Sequence, residues 1–166
     1  MEGASLAASL ILHQQLDHPA SPPLFHAAIF LSAPLPFSRH LNHGIDCRVY
    51  FSIPHPEPLP GRPTAIPAYL IPSDAFFLQS ESNDSFYQMF HFTVDEARIA
   101  IPTAHVFGRR DALWKTHAKD LVEMCGGKDA DGVYVHEHDG AHEIPKDEVE
   151  EICDVIENAV AKAALA

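Results

Sequence analysis

The sequence predicts an α/β fold, a mostly parallel sheet of three to four strands flanked by helices, and three observations carry that prediction. Short continuous apolar runs bounded by turn residues occur at Leu24–Ser32, Ile101–Gly108 and Gly132–His138, the pattern of strands covered on both faces in a parallel sheet. Segments with apolar residues at helical spacing alternate with them, which implies right-handed crossovers and a ligand site at the carboxyl ends of the strands. The chain's 166 residues, 46% of them hydrophobic, are one domain's worth, enough to bury about two-thirds of the unfolded surface.

In order along the chain, Gly3–Leu16 sets the small residues Gly3, Ala4, Ala7 and Ala8 beside Leu6, Leu10 and Ile11. This predicts a buried helix whose first turns lie close to a sheet. His18-Pro19 through Pro23 break it, because proline cannot continue the backbone ladder. Leu24–Ser32 (LFHAAIFLS) reads as a central strand ending at Ala33-Pro34-Leu35-Pro36.

From Phe37 to Arg98 the composition changes, with seven of the 14 prolines falling between Pro54 and Pro72. Such a stretch makes few regular ladders and is long for a connection, so residues 37–98 read as an excursion serving as lid or binding loop. Within it, Ile45–Ile53 (IDCRVYFSI) suits an edge strand and Ser85–Phe92 (SFYQMFHF) a short helix. Phe76, Phe77, Phe86, Tyr87, Met89, Phe90 and Phe92 supply a large apolar surface that either holds the excursion onto the body or faces a pocket.

Ile101–Gly108 is then a buried strand, followed by Arg109-Arg110-Asp111 and a helix from about Leu113 to Cys125, capped by Gly126-Gly127 in the left-handed conformation. Gly132–His138 is the third strand, and Pro145 opens a final helix. Val149, Ile152, Val155, Ile156, Ala159, Val160 and Ala163 recur there at helical spacing, with Asp147, Glu148, Glu150 and Glu151 at the positive end of its dipole.

Eleven Lys and Arg against 23 Asp and Glu give a net charge of −12, which repels phosphate backbones and anionic lipid heads and excludes nucleic acid as an expected partner. Cys47, Cys125 and Cys153 are odd in number and widely spaced, so neither a disulfide framework nor a zinc site is indicated and a reducing, cytoplasmic setting is expected. The apolar opening Leu6–Leu12 lacks a basic flank and is too short to span a bilayer, so no membrane association is expected. His136, His138 and His142 lie close in sequence, but a metal needs three or four ligands converging on one point. With no fourth candidate at suitable spacing, no metal and no other cofactor are expected.

The chemistry concentrates in Ile101–Pro145. Asp111 and His142 each sit just past the carboxyl end of a predicted strand, in the order Asp before His, the order of the last two members of an α/β-hydrolase triad. A carboxylate there can hold an imidazole in one tautomer and make it a general base near neutral pH. Asp111 is equally suited to cap the helix that follows, and a lone loop histidine usually has no catalytic part; their joint position favours the pair. Ser5, Ser9, Ser32 and Ser73 are serines without a G-x-S-x-G frame.

The stretches FYQMFH, IPTAHVFGRRD and HDGAHEIP, with SAPLPFSRHLNHGIDCRVYF and GRPTAIPAYLIP, resemble the fungal members of the family of serine hydrolases, α/β-hydrolases that include polyketide-release thioesterases of the citrinin and lovastatin type. The resemblance implies a partial α/β-hydrolase fold with Asp111 as triad acid and His142 as triad base. The opening Met1-Glu2-Gly3-Ala4-Ser5 resembles the tail of that family's elbow, S-x-G-A, with Met1 where the nucleophilic serine stands. The chain therefore reads as a single truncated domain, residues 1–166, lacking the N-terminal strands and part of the oxyanion hole. Relatives tend to read D-P-W where this chain has Asp111-Ala112-Leu113-Trp114, which leaves the acid loop's register open by one residue.

Without a nucleophile and oxyanion donors, acyl transfer loses its main stabilisation. Ser5, one helical turn deeper than the lost position, is a disfavoured substitute, roughly 5–6 Å out of place. The leading expectation is a base-assisted, non-hydrolytic step on a polyketide-like small molecule, such as cyclisation, aldol closure or isomerisation, with His142 moving the proton and Asp111 orienting it. Pro34, Phe37, Phe86, Phe90 and Trp114 are expected to line the pocket. The alternatives are a serine hydrolase or thioesterase whose true start lies upstream, and a non-catalytic protein binding a ligand or partner through Phe76–Phe92. An unprotected edge at Leu24–Ser32 predicts a homo-oligomer.

Overall fold

A computed structural model describes residues 2–40, 42–47 and 88–165. Most of the excursion, including Phe86 and the whole stretch 48–87, lies outside the described residues. The elements are α1 (Glu2–Asp17), β1 (Ala28–Leu31), β2 (Phe37–Ser38), β3 (Ile45–Asp46), β4 (Gln88–Met89), β5 (Thr103–Gly108), α2 (Lys115–Met124), β6 (Val133–His138) and α3 (Val149–Ala163). Strands β1, β5 and β6 form a parallel sheet in the order β1-β5-β6. A partial α/β fold is what the structure shows.

β5 is the central strand and is buried along its whole length, as expected of a continuous apolar run that receives ladder bonds from both sides. Alternation decides its two faces. Phe107, like Phe30 of β1, belongs to the main core with Ala8, Ile11 and Leu12 of α1 and Leu121, Val122 and Met124 of α2. α3 packs on β5 and β6, covering the opposite face with the buried Ile152 and Ala159.

Several expectations need correction. Leu24–Ser32 is not central among the described strands. β1 is an edge strand of the described sheet, with Phe30 buried but Ile29 43% and Leu31 38% exposed, and its apolar run misled because apolar residues on an open face look like core residues in sequence. Ile45–Ile53 does not extend this sheet in its described part. Ile45 and Asp46 pair instead with Met89 and Gln88 in a small antiparallel sheet, β2-β4-β3. The described part of Ser85–Phe92 is this strand and a turn rather than a helix. α3 begins at Val149 rather than Pro145, because Glu148 keeps a non-helical backbone while its carboxylate pairs with His136 at 2.8 Å.

α1 forms where expected, but it is buried on one side only, with Leu6 60% and Leu10 45% exposed. Its inner face carries a polar stripe. The Ser5 hydroxyl donates to the Leu35 carbonyl at 2.8 Å, the Ser9 hydroxyl accepts the Phe37 N–H at 2.8 Å, and His13 Nε2 accepts the Arg39 N–H at 3.1 Å. Asp17 then meets Arg39 and His40. Four residues of helix rise about 6 Å, close to two residues of extended chain, so positions 5, 9 and 13 match 35, 37 and 39 one after another. The stripe satisfies backbone groups of this segment that β4 does not pair. The glycines after α2 close it as expected: Gly126 and Gly127 have φ of +104° and +90°, and the Gly127 N–H reaches the Val122 carbonyl at 3.0 Å.

Candidate active site

The loops leaving β5 and β6 meet at the carboxyl edge of the sheet. The Arg109 N–H donates to the His138 carbonyl at 2.8 Å and the Arg110 N–H to the Gly140 carbonyl at 3.0 Å, so pairing continues past both strand ends. The Arg109 guanidinium reaches Asp139 at 2.6 Å and Glu137 at 3.3 Å, and Arg110 Nε donates to the Asp139 carbonyl. The approach is so close that a Cβ on Gly108 would lie 2.9 Å from the Ala141 carbonyl carbon and nearer still to the oxygens of Gly140 and Ala141. Only glycine fits there.

That approach brings His142 to Asp111. The imidazole Nδ1–H donates to Asp111 Oδ2 at 2.6 Å, a short bond to a charged acceptor. Asp111 Oδ1 accepts the N–H groups of Trp114 at 2.9 Å and Leu113 at 3.2 Å. The two roles weighed for Asp111 therefore coexist, one oxygen capping the chain ahead of α2 and the other holding the ring. This capture of both N–H groups is why α2 starts at Lys115 rather than Leu113. Asp111 is 4% exposed and the His142 side chain 39% exposed. With Nδ1 protonated, Nε2 is the basic nitrogen, and it has no hydrogen-bond partner among the described residues.

Three supporting residues had no sequence signal strong enough to find them. His138 is buried and its Nδ1 accepts the Gly140 N–H at 3.1 Å, bracing the turn that leads to His142. A Cβ on Gly140 would stand 2.8 Å from that same Nδ1. Gly108 is the third. The stretches IPTAHVFGRRD and HDGAHEIP are visible in the sequence, but only the structure shows that they touch.

Of the residues expected to line a pocket, Pro34, Phe37, Phe90 and Trp114 are described. Trp114 is half-buried and meets the His117 ring edge-on, centroids 5.1 Å apart; burial pushes His117 down to about 4 and keeps it neutral. Pro34 is buried just past β1, and Phe37 is half-buried against the core. Phe90 is fully buried in that core, with its ring 5.4 Å from His13 and 5.9 Å from His43. Ser5 is 3% exposed, with its hydroxyl committed to Leu35. A separate open depression of about 760 Å³ lies between Arg109, Lys128, Glu137, Asp139, Glu148 and Glu151. His136 turns to Glu148, and no group of three His, Cys, Asp or Glu side chains among the described residues is arranged to hold a metal. Burial pushes the thiols of Cys47 and Cys125 up to about 12, so neither is a thiolate at neutral pH. No described helix is long and apolar enough to cross a membrane.

An imidazole held by a carboxylate at Nδ1 can move protons at Nε2. "Esterase FPY3" of Fusarium mangiferae is 27% identical over 168 residues, which cover 99% of this chain and 56% of the relative. The chain thus spans about half the length of that relative. No solved structure matches. The family model described as "Serine hydrolase (FSH1)" matches residues 2–152, and the chain belongs to that family.

Proposed function

We propose that the chain carries the acid–base half of a serine-hydrolase site and acts on carboxylic esters or thioesters. His142 takes the nucleophile's proton at Nε2 and returns it to the leaving group, and Asp111 fixes the tautomer and stabilises the imidazolium. The observation that carries this reading is the 2.6 Å bond between His142 Nδ1 and the buried Asp111 carboxylate. Family membership and the esterase relative support hydrolysis over other proton-transfer chemistry. The test is turnover of a short-chain p-nitrophenyl ester. Wild type is expected to release nitrophenol and His142→Ala to lose roughly 10²–10⁴-fold; equal rates overturn the reading.

One observation favours a second reading. The serine nearest the resembled elbow, Ser5, is buried and bonded to a backbone carbonyl, which leaves the dyad without that nucleophile. The pair would then serve a non-hydrolytic step on a polyketide-like substrate, a cyclisation, aldol closure or isomerisation, needing only a base. An alkyl fluorophosphonate separates the two: a covalent serine adduct belongs to the hydrolase, and dyad-dependent cyclisation without an adduct belongs to the second.

We also propose that two copies meet at β1. Residues 18–38 contain no Asp, Glu, Lys or Arg in a chain of net charge −12, and Ile29 and Leu31 are exposed on the open edge. Self-association there buries apolar surface without bringing like charges together. The free thiols of all three cysteines suit a reducing cytoplasm.

A further inference from the structure

Charge is distributed unevenly about the dyad. Residues 107–115 and 138–146, which carry Asp111 and His142, hold four of the chain's 11 Lys and Arg but only three of its 23 Asp and Glu, so cations outnumber acids there and are outnumbered elsewhere. Two of those three acids are already engaged. Asp111 holds the His142 ring, and Asp139 meets Arg109 at 2.6 Å. In these stretches Glu143 alone is left to face Arg110, Lys115 and Lys146.

Most other described cations are spent. Arg39, Arg109, Lys119 and Lys162 pair with carboxylates, and Arg98 donates to the carbonyls of Phe92, Asp95 and Ala97. Arg110, Lys115 and Lys146 make no ion pair among the described residues. Arg110 is also held in place. Its N–H donates to the Gly140 carbonyl at 3.0 Å, two residues before His142, and its Nε donates to the Asp139 carbonyl. The side chain is exposed yet oriented, and its two terminal nitrogens have no hydrogen-bond partner among the described residues. A guanidinium in this state offers two N–H donors side by side, the fork that takes a carboxylate or phosphate through two bonds. Lys115 begins within a turn of Asp111, its N–H on the Asp111 carbonyl at 3.3 Å, and Lys146 follows His142 by four residues.

We propose that the substrate of the dyad carries a second, anionic group, a carboxylate or phosphate, which Arg110 receives on its terminal nitrogens while Lys115 and Lys146 draw anions to the site. This rests on the hydrolase reading of the Asp111–His142 pair. A chain of net charge −12 repels an anionic ester over most of its surface, so cations left unpaired beside the dyad decide both where such an ester arrives and how it lies. The Asp139 carbonyl orients the guanidinium before the anion comes, which spares part of the ordering cost of binding. A neutral ester meets the same base without this hold.

The experiment compares kcat/KM for anionic 3-carboxy-4-nitrophenyl acetate and 4-acetoxyphenyl phosphate with that for neutral p-nitrophenyl acetate; the first two separate a carboxylate from a phosphate. Arg110→Gln is expected to lower the anionic-to-neutral ratio for at least one of them roughly tenfold or more. Lys115→Gln and Lys146→Gln should each lower it by up to about fivefold, an effect that added salt diminishes. Lys128 precedes β6, at that strand's amino end, and Lys128→Gln should match wild type. If Arg110 only braces the loop at residues 139–142, Arg110→Gln lowers all three rates together and keeps the ratio, which overturns the proposal. Binding is read separately by NMR: benzoate or phenyl phosphate should shift the Arg110 Nε–H resonance of the intact chain, and benzamide should not. Turnover of the esters with no shift by either anion overturns the proposal and leaves the hydrolase reading standing. A shift without turnover of any ester leaves the anion site standing and overturns the hydrolase reading; neither shift nor turnover overturns both.

Discussion

Replacing Gly108 by alanine tests whether the contact between the two strand-end loops holds the dyad together. The new Cβ would lie 2.9 Å from the Ala141 carbonyl carbon and closer to two carbonyl oxygens, whereas non-bonded carbons rest at about 3.5–4.0 Å. The obstacle is backbone, so trimming a neighbouring side chain gives no relief, and the 140–142 loop must retreat by about 1 Å. A bond of 2.6 Å from His142 to Asp111 then opens past the usual hydrogen-bond range. Overpacking of this kind costs about 1–3 kcal/mol, a fall of about 2–12 °C in melting temperature for a chain of this size. Misplacing a catalytic group by that distance lowers turnover by about 10²-fold. The assays are thermal unfolding, ester turnover, and NMR of the low-field ring N–H of His142, expected to weaken or vanish. A variant with wild-type melting and an unchanged ring resonance would refute the reasoning.

Other outcomes follow from the same geometry. His138→Phe removes the acceptor for the Gly140 N–H while keeping an aromatic ring, and should broaden or lose the His142 ring resonance; His138→Asn, whose Oδ1 replaces Nδ1, should restore it. Burial lowers His105 from 6.5 to about 3 and His117 from 6.5 to about 4, so below pH 6.5 the unfolded chain binds more protons than the folded one. Stability is therefore fully present above pH 6.5 and lost as pH falls toward 4, by up to about 1.4 kcal/mol per pH unit for each ring. Urea midpoints measured across that range should show it, and His117→Asn should flatten the slope by about one ring's share. Leu31→Lys charges the open face of β1 and should halve the mass seen by light scattering at micromolar concentration without altering the circular dichroism; a monomeric wild type would sink the two-copy proposal.

The three helices were legible from apolar residues at helical spacing and the three parallel strands from their continuous apolar runs, and the contact between His142 and Asp111 was legible because both follow strand ends. What was not legible has physical causes. The run at Leu24–Ser32 has the composition of a central strand, and nothing local distinguishes an apolar open face from a covered one. Ser5, Ser9, His13 and Asp17 are spaced by four to meet an extended segment some 25 residues away in sequence, a relation visible only in three dimensions. Phe90 belonged to the core, not the pocket, because aromatic residues carry most packing area wherever they lie.

The account rests on Asp111 holding His142 as a working base, and Asp111→Asn tests it most directly. Asparagine keeps Oδ1 as acceptor for the N–H groups of Leu113 and Trp114 but presents a donor to His142, forcing the wrong tautomer. The measurement is kcat/KM for a p-nitrophenyl ester alongside the melting temperature of the same sample. The expected result is a loss of roughly 10²–10⁴-fold at nearly unchanged melting; wild-type kcat/KM in a folded Asp111→Asn protein would contradict the account.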